Sequence, residues 1–413
     1  VKRAAVATVI ALTIQAAADP AGITFDDAIR VAIANNPDAR IAVREIERVE
    51  ALLSQATAAL IPQVRARVSY TRLESDRSLE GRLFAAANSV IGNVGVTGPV
   101  VDPQAWADRR RAADQRDATT YDAQAVKRAV AIAAARAYFQ ALTSTHLLEI
   151  AQTARQTAAA HVAYAVQRKQ GGVGTDLDVS RAQTELATDE ALVASAKTAL
   201  LRADEALGVI TGSPAALAPA GEPLLSGTEG LGIASRADLR ASAGHREAAQ
   251  DSADLDWAQY VPALRIDGAA FVDAPVLPPV PRIGYDVLLT LEVPIFEGGL
   301  RRARHAQHLA ELGEAREREV GTVRLANSEV AVARTALANT RAARDAAHRA
   351  ADLAAKTLDL ANTGYVAGTV SELDVIDAQR AARDDAVQAA LADDDYREAE
   401  LDLLAATGAF PPP

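Results

Sequence analysis

Gly172-Val173-Gly174-Thr175-Asp176-Leu177-Asp178-Val179 returns as Gly368-Thr369-Val370-Ser371-Glu372-Leu373-Asp374-Val375, at an offset of 196 residues (172 to 368). Working outward at the same offset, Ala182-Gln183 returns as Ala378-Gln379 and Thr211-Gly212 as Thr407-Gly408. Upstream, Leu60-Ile61-Pro62-Gln63-Val64-Arg65 is answered by Gln259-Tyr260-Val261-Pro262-Ala263-Leu264-Arg265. A unit repeated at this length is one supersecondary design used twice. The expected boundaries are 19–212 for the first copy, 213–232 for a Pro- and Gly-rich linker and 233–413 for the second copy.

Each copy reads as helix, strand pair, long helix, tight turn, helix. In the first, Thr24 caps a helix running to about Leu60, with Asp26 and Asp27 in the first turn where the helix dipole favours them. Residues 105–169 are Ala-rich without Pro or Gly and read as one helix. It breaks at Gly171, Gly172 and Gly174, and Thr175 or Asp176 opens the return helix to 209. There Leu186, Val193, Leu200 and Leu207 recur every seven residues, the coiled-coil period. The long helix over 105–169 reaches about 98 Å at 1.5 Å per residue, matching the helices at 25–60 and 176–209 stacked end to end. The second copy repeats the plan with 233–259, 299–362 and 372–405, so the long helical hairpins are 105–209 and 299–405. A rod flanked by two half-length rods predicts a slender coiled-coil body.

The strand pairs, 62–98 and 263–293, alternate. Val64, Ala66, Val68 and Tyr70 oppose Arg65, Arg67, Ser69 and Thr71. Val90, Gly92, Val94 and Val96 share a face. Leu264, Ile266, Ala270 and Val272 oppose Arg265, Asp267 and Asp273. Ile283, Tyr285, Val287, Leu289, Leu291 and Val293 oppose Arg282, Asp286, Thr290 and Glu292. Ten-residue segments with period 2 and a polar second face fit transmembrane barrel strands, and a half-buried soluble sheet produces the same alternation. Four strands cannot close a barrel, so on the membrane reading several chains must contribute to one.

Composition narrows the classes. The 413 residues contain no Cys, which excludes disulfides, thiol catalysis and thiolate metal sites. Aromatics are 4% of the chain, few for a globular core and suited to closely spaced helices. A net charge of −11 argues against nucleic acid, which needs a basic face. Lys2-Arg3, the apolar run to Ile14 and Ala16-Ala17-Ala18 read as an export signal over 1–18, too short to span a bilayer.

Ile23-Thr24-Phe25-Asp26-Asp27-Ala28-Ile29 with Ala32-Ile33-Ala34-Asn35-Asn36-Pro37 resembles the opening of the TolC-like outer-membrane efflux proteins. Val293-Pro294-Ile295-Phe296-Glu297-Gly298-Gly299 resembles that family's strand-to-helix passage. Gly364-Tyr365 through Gly368-Thr369, then Leu373-Asp374-Val375-Ile376-Asp377-Ala378, resembles its second hairpin tip. The resemblance implies a mainly α fold with a small β part: a helical coiled-coil barrel joined to a transmembrane β-barrel built from four strands per chain in a homotrimer. It implies a channel in the outer membrane, extending into the periplasm and passively conducting small molecules or polypeptides. The implied partners are outer-membrane lipid, a periplasmic adaptor and an inner-membrane transporter of the RND, ABC or MFS type.

The same resemblance places an aspartate ring at Asp374 and Asp377, where threefold repetition of two carboxylates on one helix face would bind cations and raise the pKa of some members. It also implies a lock between hairpins, with Thr175 and Asp176 as acceptors and Tyr365 as donor. The family's arginine partner falls on Val370 here, so the charged part of that lock cannot form as in the family. The glycines Gly171, Gly172, Gly174, Gly364 and Gly368 are expected in the hairpin turns.

Other signals lead elsewhere or nowhere. His305 and His308 share a helix face, but no carboxylate spacing completes a metal set, so no metal or cofactor is expected. Gly171-Gly172-Val173-Gly174 lies between helices, not after a strand, as phosphate cradling would need. No nucleophile, base or P-loop pattern points to an enzyme. The alternative to a channel is a soluble periplasmic coiled-coil adaptor or scaffold, which would carry no lipid-facing strands.

Overall fold

The computed structural model describes residues 21–79, 81–223, 225, 233–277 and 281–411. The expected signal over 1–18 lies outside them, as do residues 224 and 226–232 of the expected linker. In chain order the elements are β1 (Ala21–Ile23), α1 (Phe25–Asn35), α2 (Pro37–Ala58), β2 (Gln63–Arg72), β3 (Arg77–Leu79), β4 (Arg82–Ala85), β5 (Asn88–Val101) and α3 (Pro103–Gln170). Then come α4 (Asp176–Thr211), β6 (Leu217–Pro219), α5 (Ala237–Asp254), β7 (Ala263–Ala274), β8 (Ile283–Glu292), α6 (Leu300–Ala367) and α7 (Glu372–Ala406). The long hairpins and the four strands fall within a few residues of their sequence-based bounds.

Two expected helices are shorter. The helix foreseen from 25 to about 60 breaks at Asn36, whose ψ of 133° is extended. The cause is Pro37: a proline disfavours helical geometry in the residue before it, yet suits the first position of the next helix. Asn36 uses the break, accepting from Asp38 N at 2.9 Å and donating to Ile210 O at 3.0 Å. That ties the α1–α2 corner to the end of α4. The helix foreseen over 233–259 is a 3-10 turn at Ile233–Ser235, then α5, then a 3-10 segment at Leu255–Tyr260.

The chain divides into two units. The first takes Val1–Arg40, Lys127–Ile233 and Asn327–Pro413, the second Ile41–Val126 and Ala234–Ala326; α2, α3 and α6 supply residues to both. The core of the first unit joins Phe25 and Ile29 of α1 with Tyr138 and Phe139 of α3, Leu207 of α4, Leu401 and Leu404 of α7, and Phe410. Phe25 stacks on Phe139 at 5.5 Å and meets Tyr138 edge-on at 5.4 Å, geometries aromatic quadrupoles favour. Elsewhere the helices pack on small residues. Along α4 the buried or half-buried stripe alternates the foreseen Leu186, Val193, Leu200 and Leu207 with Ala182, Asp189, Ala196 and Ala203, a heptad seam in which alanine allows close approach. The parallel pair β1–β6 in this unit has no counterpart in the sequence reading, because three-residue strands carry too few alternations to register.

The second unit carries a four-stranded antiparallel sheet in the order β2-β5-β7-β8. Pairing β5 with β7 joins the two halves of the repeat in one sheet. The registers align the expected faces across all four strands. Val64 pairs with Val96, Val96 with Gly268 and Gly268 with Val287; Val68 pairs with Gly92, Gly92 with Val272 and Val272 with Ile283. One continuous face is therefore apolar. The other sets Arg65, Arg67 and Ser69 beside Gly95, Asn93 and Ile91, and Thr97 donates to Asp267 across the strands at 2.5 Å. Val64, Val68, Tyr285, Val287, Leu289 and Leu291 are all exposed in the single chain. The hairpin β3–β4 extends this region beyond what the sequence pattern predicted.

Candidate functional site at the hairpin tips

The two tips share the same turn and the same cap. After α3, Val173 N donates to Arg168 O at 3.0 Å; after α6, Thr369 N donates to Gly364 O at 2.9 Å. Gly172 and Gly368 hold φ of 74° and 75°, left-handed geometry that a side chain would strain. Thr175 then caps α4 in a capping box with Asp178, and Ser371 caps α7 in the same box with Asp374. Gly171 and Gly174 lie in the first turn as expected. Gly364 does not lie in the second: it is within α6, and a Cβ there would collide with Val370. Val370, standing where the family's arginine is expected, fills the notch that the missing side chain leaves.

The expected gate carboxylates have different surroundings. Asp374 is exposed, but its Oδ2 accepts from Ser371 N at 3.1 Å and Ser371 Oγ at 2.6 Å. Within the single chain, the Ser371 hydroxyl and backbone amide hold this carboxyl below the usual range. Its counterpart Asp178 is lowered in the same way by the Thr175 backbone amide. Asp377, one turn on, is exposed at the surface of α7. Asp374 thus starts a helix as well as carrying charge.

The expected lock residues are not brought together. Among the described residues, neither Thr175 nor Asp176 hydrogen-bonds to Tyr365: Thr175 binds Asp178 at 2.8 Å and Asp176 pairs with Lys169. A different set joins the hairpins. His161 of α3 meets Glu372 of α7 at 2.8 Å, with side chains only 6% and 4% exposed. Arg168 of α3 donates to Tyr365 O of α6 at 3.0 Å and lies 4.4 Å over the Tyr365 ring. Tyr164 meets the same ring edge-on at 5.6 Å. His161, Tyr164 and Arg168 are spaced to share one face of α3, so one helix grips both helices of the other hairpin. Burial and the neighbouring Glu372 carboxylate push the Tyr365 phenol up. In the first tip Asp176 occupies the position of Glu372 and is exposed. A buried, paired acid at this point is what distinguishes the second tip, a signal available in sequence only as His161 and Glu372 at unrelated positions.

Farther along the hairpins a second tie forms. Glu185 and Asp189 of α4 are buried, and they accept from Arg380 at 2.7 Å and from Arg383 at 3.1 and 2.8 Å. Burial raises the Asp189 carboxyl while Arg383 opposes that rise. In the second unit, the histidine pair foreseen on one helix face finds an acid that spacing did not reveal. His305 Nδ1 and His308 Nδ1 lie 2.9 and 2.8 Å from the buried Asp256, which also accepts from Arg111 at 3.2 Å. Among the described residues no group of three such side chains is arranged to hold a metal.

Comparison with known proteins agrees with this architecture. The chain is 28% identical over 302 residues to the fusaric acid resistance protein FusA of Burkholderia cepacia, a match covering 68% of this chain and 57% of that protein's length. A membrane protein of Pseudomonas aeruginosa has the same fold, with a TM-score of 0.81, 22% identity and coverage of 93% of both chains. The CmeC outer membrane channel of Campylobacter jejuni matches with a TM-score of 0.79 at 17% identity, over 93% of this chain and 85% of that one. The model of the outer membrane efflux protein family matches residues 28–213 and 231–409, both copies of the repeat, and the chain belongs to that family.

Proposed function

We infer that the protein is the outer-membrane exit duct of an export assembly. The observation that carries this is the sheet: an apolar face continuous over four strands, with β2 and β8 left as open edges. An open edge is untenable in lipid, and four strands cannot close on themselves. A homotrimer supplies a twelve-stranded barrel with the Arg65–Asp267 face toward its lumen. Both tryptophans, Trp106 and Trp257, follow or precede strand ends and are half exposed, as aromatic residues at a membrane–water boundary are. No described helix is long and apolar enough to cross a membrane.

The helical hairpins form the periplasmic conduit, met by an adaptor and an inner-membrane transporter. The tips form the gate: Asp377 and Asp374 supply its negative charge, and His161–Glu372 with Arg168–Tyr365 hold it shut in place of the Thr175/Asp176–Tyr365 lock. The name of the Burkholderia relative favours a small organic toxin over a polypeptide as cargo. Membranes washed in high salt and after osmotic shock should retain the protein, and detergent should release it as a trimer. Release of a monomer by salt or shock would favour the soluble adaptor instead.

A further inference from the structure

A cavity of about 440 Å³ opens among α3, α4, α6 and α7 within the first unit. Ile150, Ala154, Leu358, Ala382 and Ala386 give it an apolar lining. Its volume is in the range that holds a small organic ligand. Gln379 also lines it and is only 8% exposed, yet neither its Nε2 nor its Oε1 has a hydrogen-bond partner. Buried amides are nearly always paired, and one left unpaired needs an explanation. Burial here is not inherited from the repeat: the counterpart Gln183 is exposed.

We propose that this cavity binds a flat, uncharged organic molecule with a hydrogen-bond donor beside an acceptor on one edge, as in a lactam, and that Gln379 reads that edge. A primary amide offers the complementary pair, N–H and C=O side by side. Turning it toward a ligand breaks no hydrogen bond, because it makes none. The charge balance opposes an anionic molecule. Arg383 at the cavity is already committed to Glu185 at 3.1 Å and Asp189 at 2.8 Å, while Glu149, also in the lining, opposes an anion.

The test uses the full-length protein in lipid nanodiscs, with 2-quinolone as the probe and quinoline, which lacks the lactam edge, as the control. Ligand-observed NMR titration should show saturable 2-quinolone binding, weakened at least about tenfold by Gln379→Leu, and quinoline binding at least about tenfold weaker than 2-quinolone to the wild type. Ala382→Phe, which fills the cavity, should abolish binding. Gln379→Leu should leave the melting temperature unchanged or raise it, since no hydrogen bond is lost. Equal binding to wild type and Gln379→Leu, or no saturable binding to the wild type, overturns the proposal. A lowered melting temperature in Gln379→Leu also overturns it, and identifies the amide as a strut satisfied by ordered water or a second copy of the chain.

Discussion

Removing the Glu372 carboxylate should loosen the tie between the two hairpins, and the structure sets the size of the effect. Glu372 and His161 are 4% and 6% exposed and 2.8 Å apart, so water cannot replace either partner. Glu372→Leu strands the imidazole, and leaving a buried polar group unsatisfied costs about 1–3 kcal/mol. The change rises to about 3–5 kcal/mol where the pair is ionised. Replacing both partners by apolar side chains removes the stranded group, so His161→Leu/Glu372→Leu should be less destabilised than the sum of the singles. A coupling of at least about 1 kcal/mol follows, which moves a closed-to-open ratio roughly fivefold. Single-channel recording in planar bilayers, with thermal melts followed by circular dichroism, reads both quantities for the four proteins of the cycle. The reasoning fails if the singles add to within about 0.5 kcal/mol in the melts and open probability is the same in all four.

Three further outcomes are expected. Asp204 is 4% exposed with Oδ1 unpaired, and burial pushes its carboxyl up to about 6 from the usual 3.8. Because the folded state holds the proton more tightly than the unfolded one, the folded protein loses stability as pH rises from about 4 through 6. Asp204→Asn should therefore stabilise by about 1–3 kcal/mol at pH 8 and by little at pH 4, as melts at the two values will show. At the tip, Asp377→Asn should reduce cation selectivity in bilayer reversal potentials with the melting temperature unchanged. Asp374→Asn should reduce it too, and in addition cost about 0.5–2 kcal/mol by weakening the Ser371 capping box; equal melting of the two variants would contradict the dual assignment of Asp374.

The sequence by itself determined the repeat, the two long hairpins and the faces of the four strands. The repeat shows on comparing two distant stretches of one chain, and the other two are local: a heptad, a period of two and a glycine turn each declare themselves within a few residues. The same logic placed Thr175 or Asp176 at one helix start and began the last helix at 372, though it did not foresee that the Asp374 carboxylate is spent on that helix's cap. The missed break at Asn36 was also local, a proline whose effect on its predecessor outweighs a helical pattern. Tertiary structure decided the rest, because the partners are far apart in the chain. Which strand pairs across the repeat, β5 with β7, depends on aligning an apolar face built from both halves. That His161 meets Glu372, Arg168 meets Tyr365 and Asp256 receives two histidines depends on helices brought together by packing. An ionisable side chain looks the same in sequence whether it is solvated or buried. The fold, by excluding water from Glu372 and leaving Asp176 in it, separated the buried acid of one tip from the exposed acid of the other.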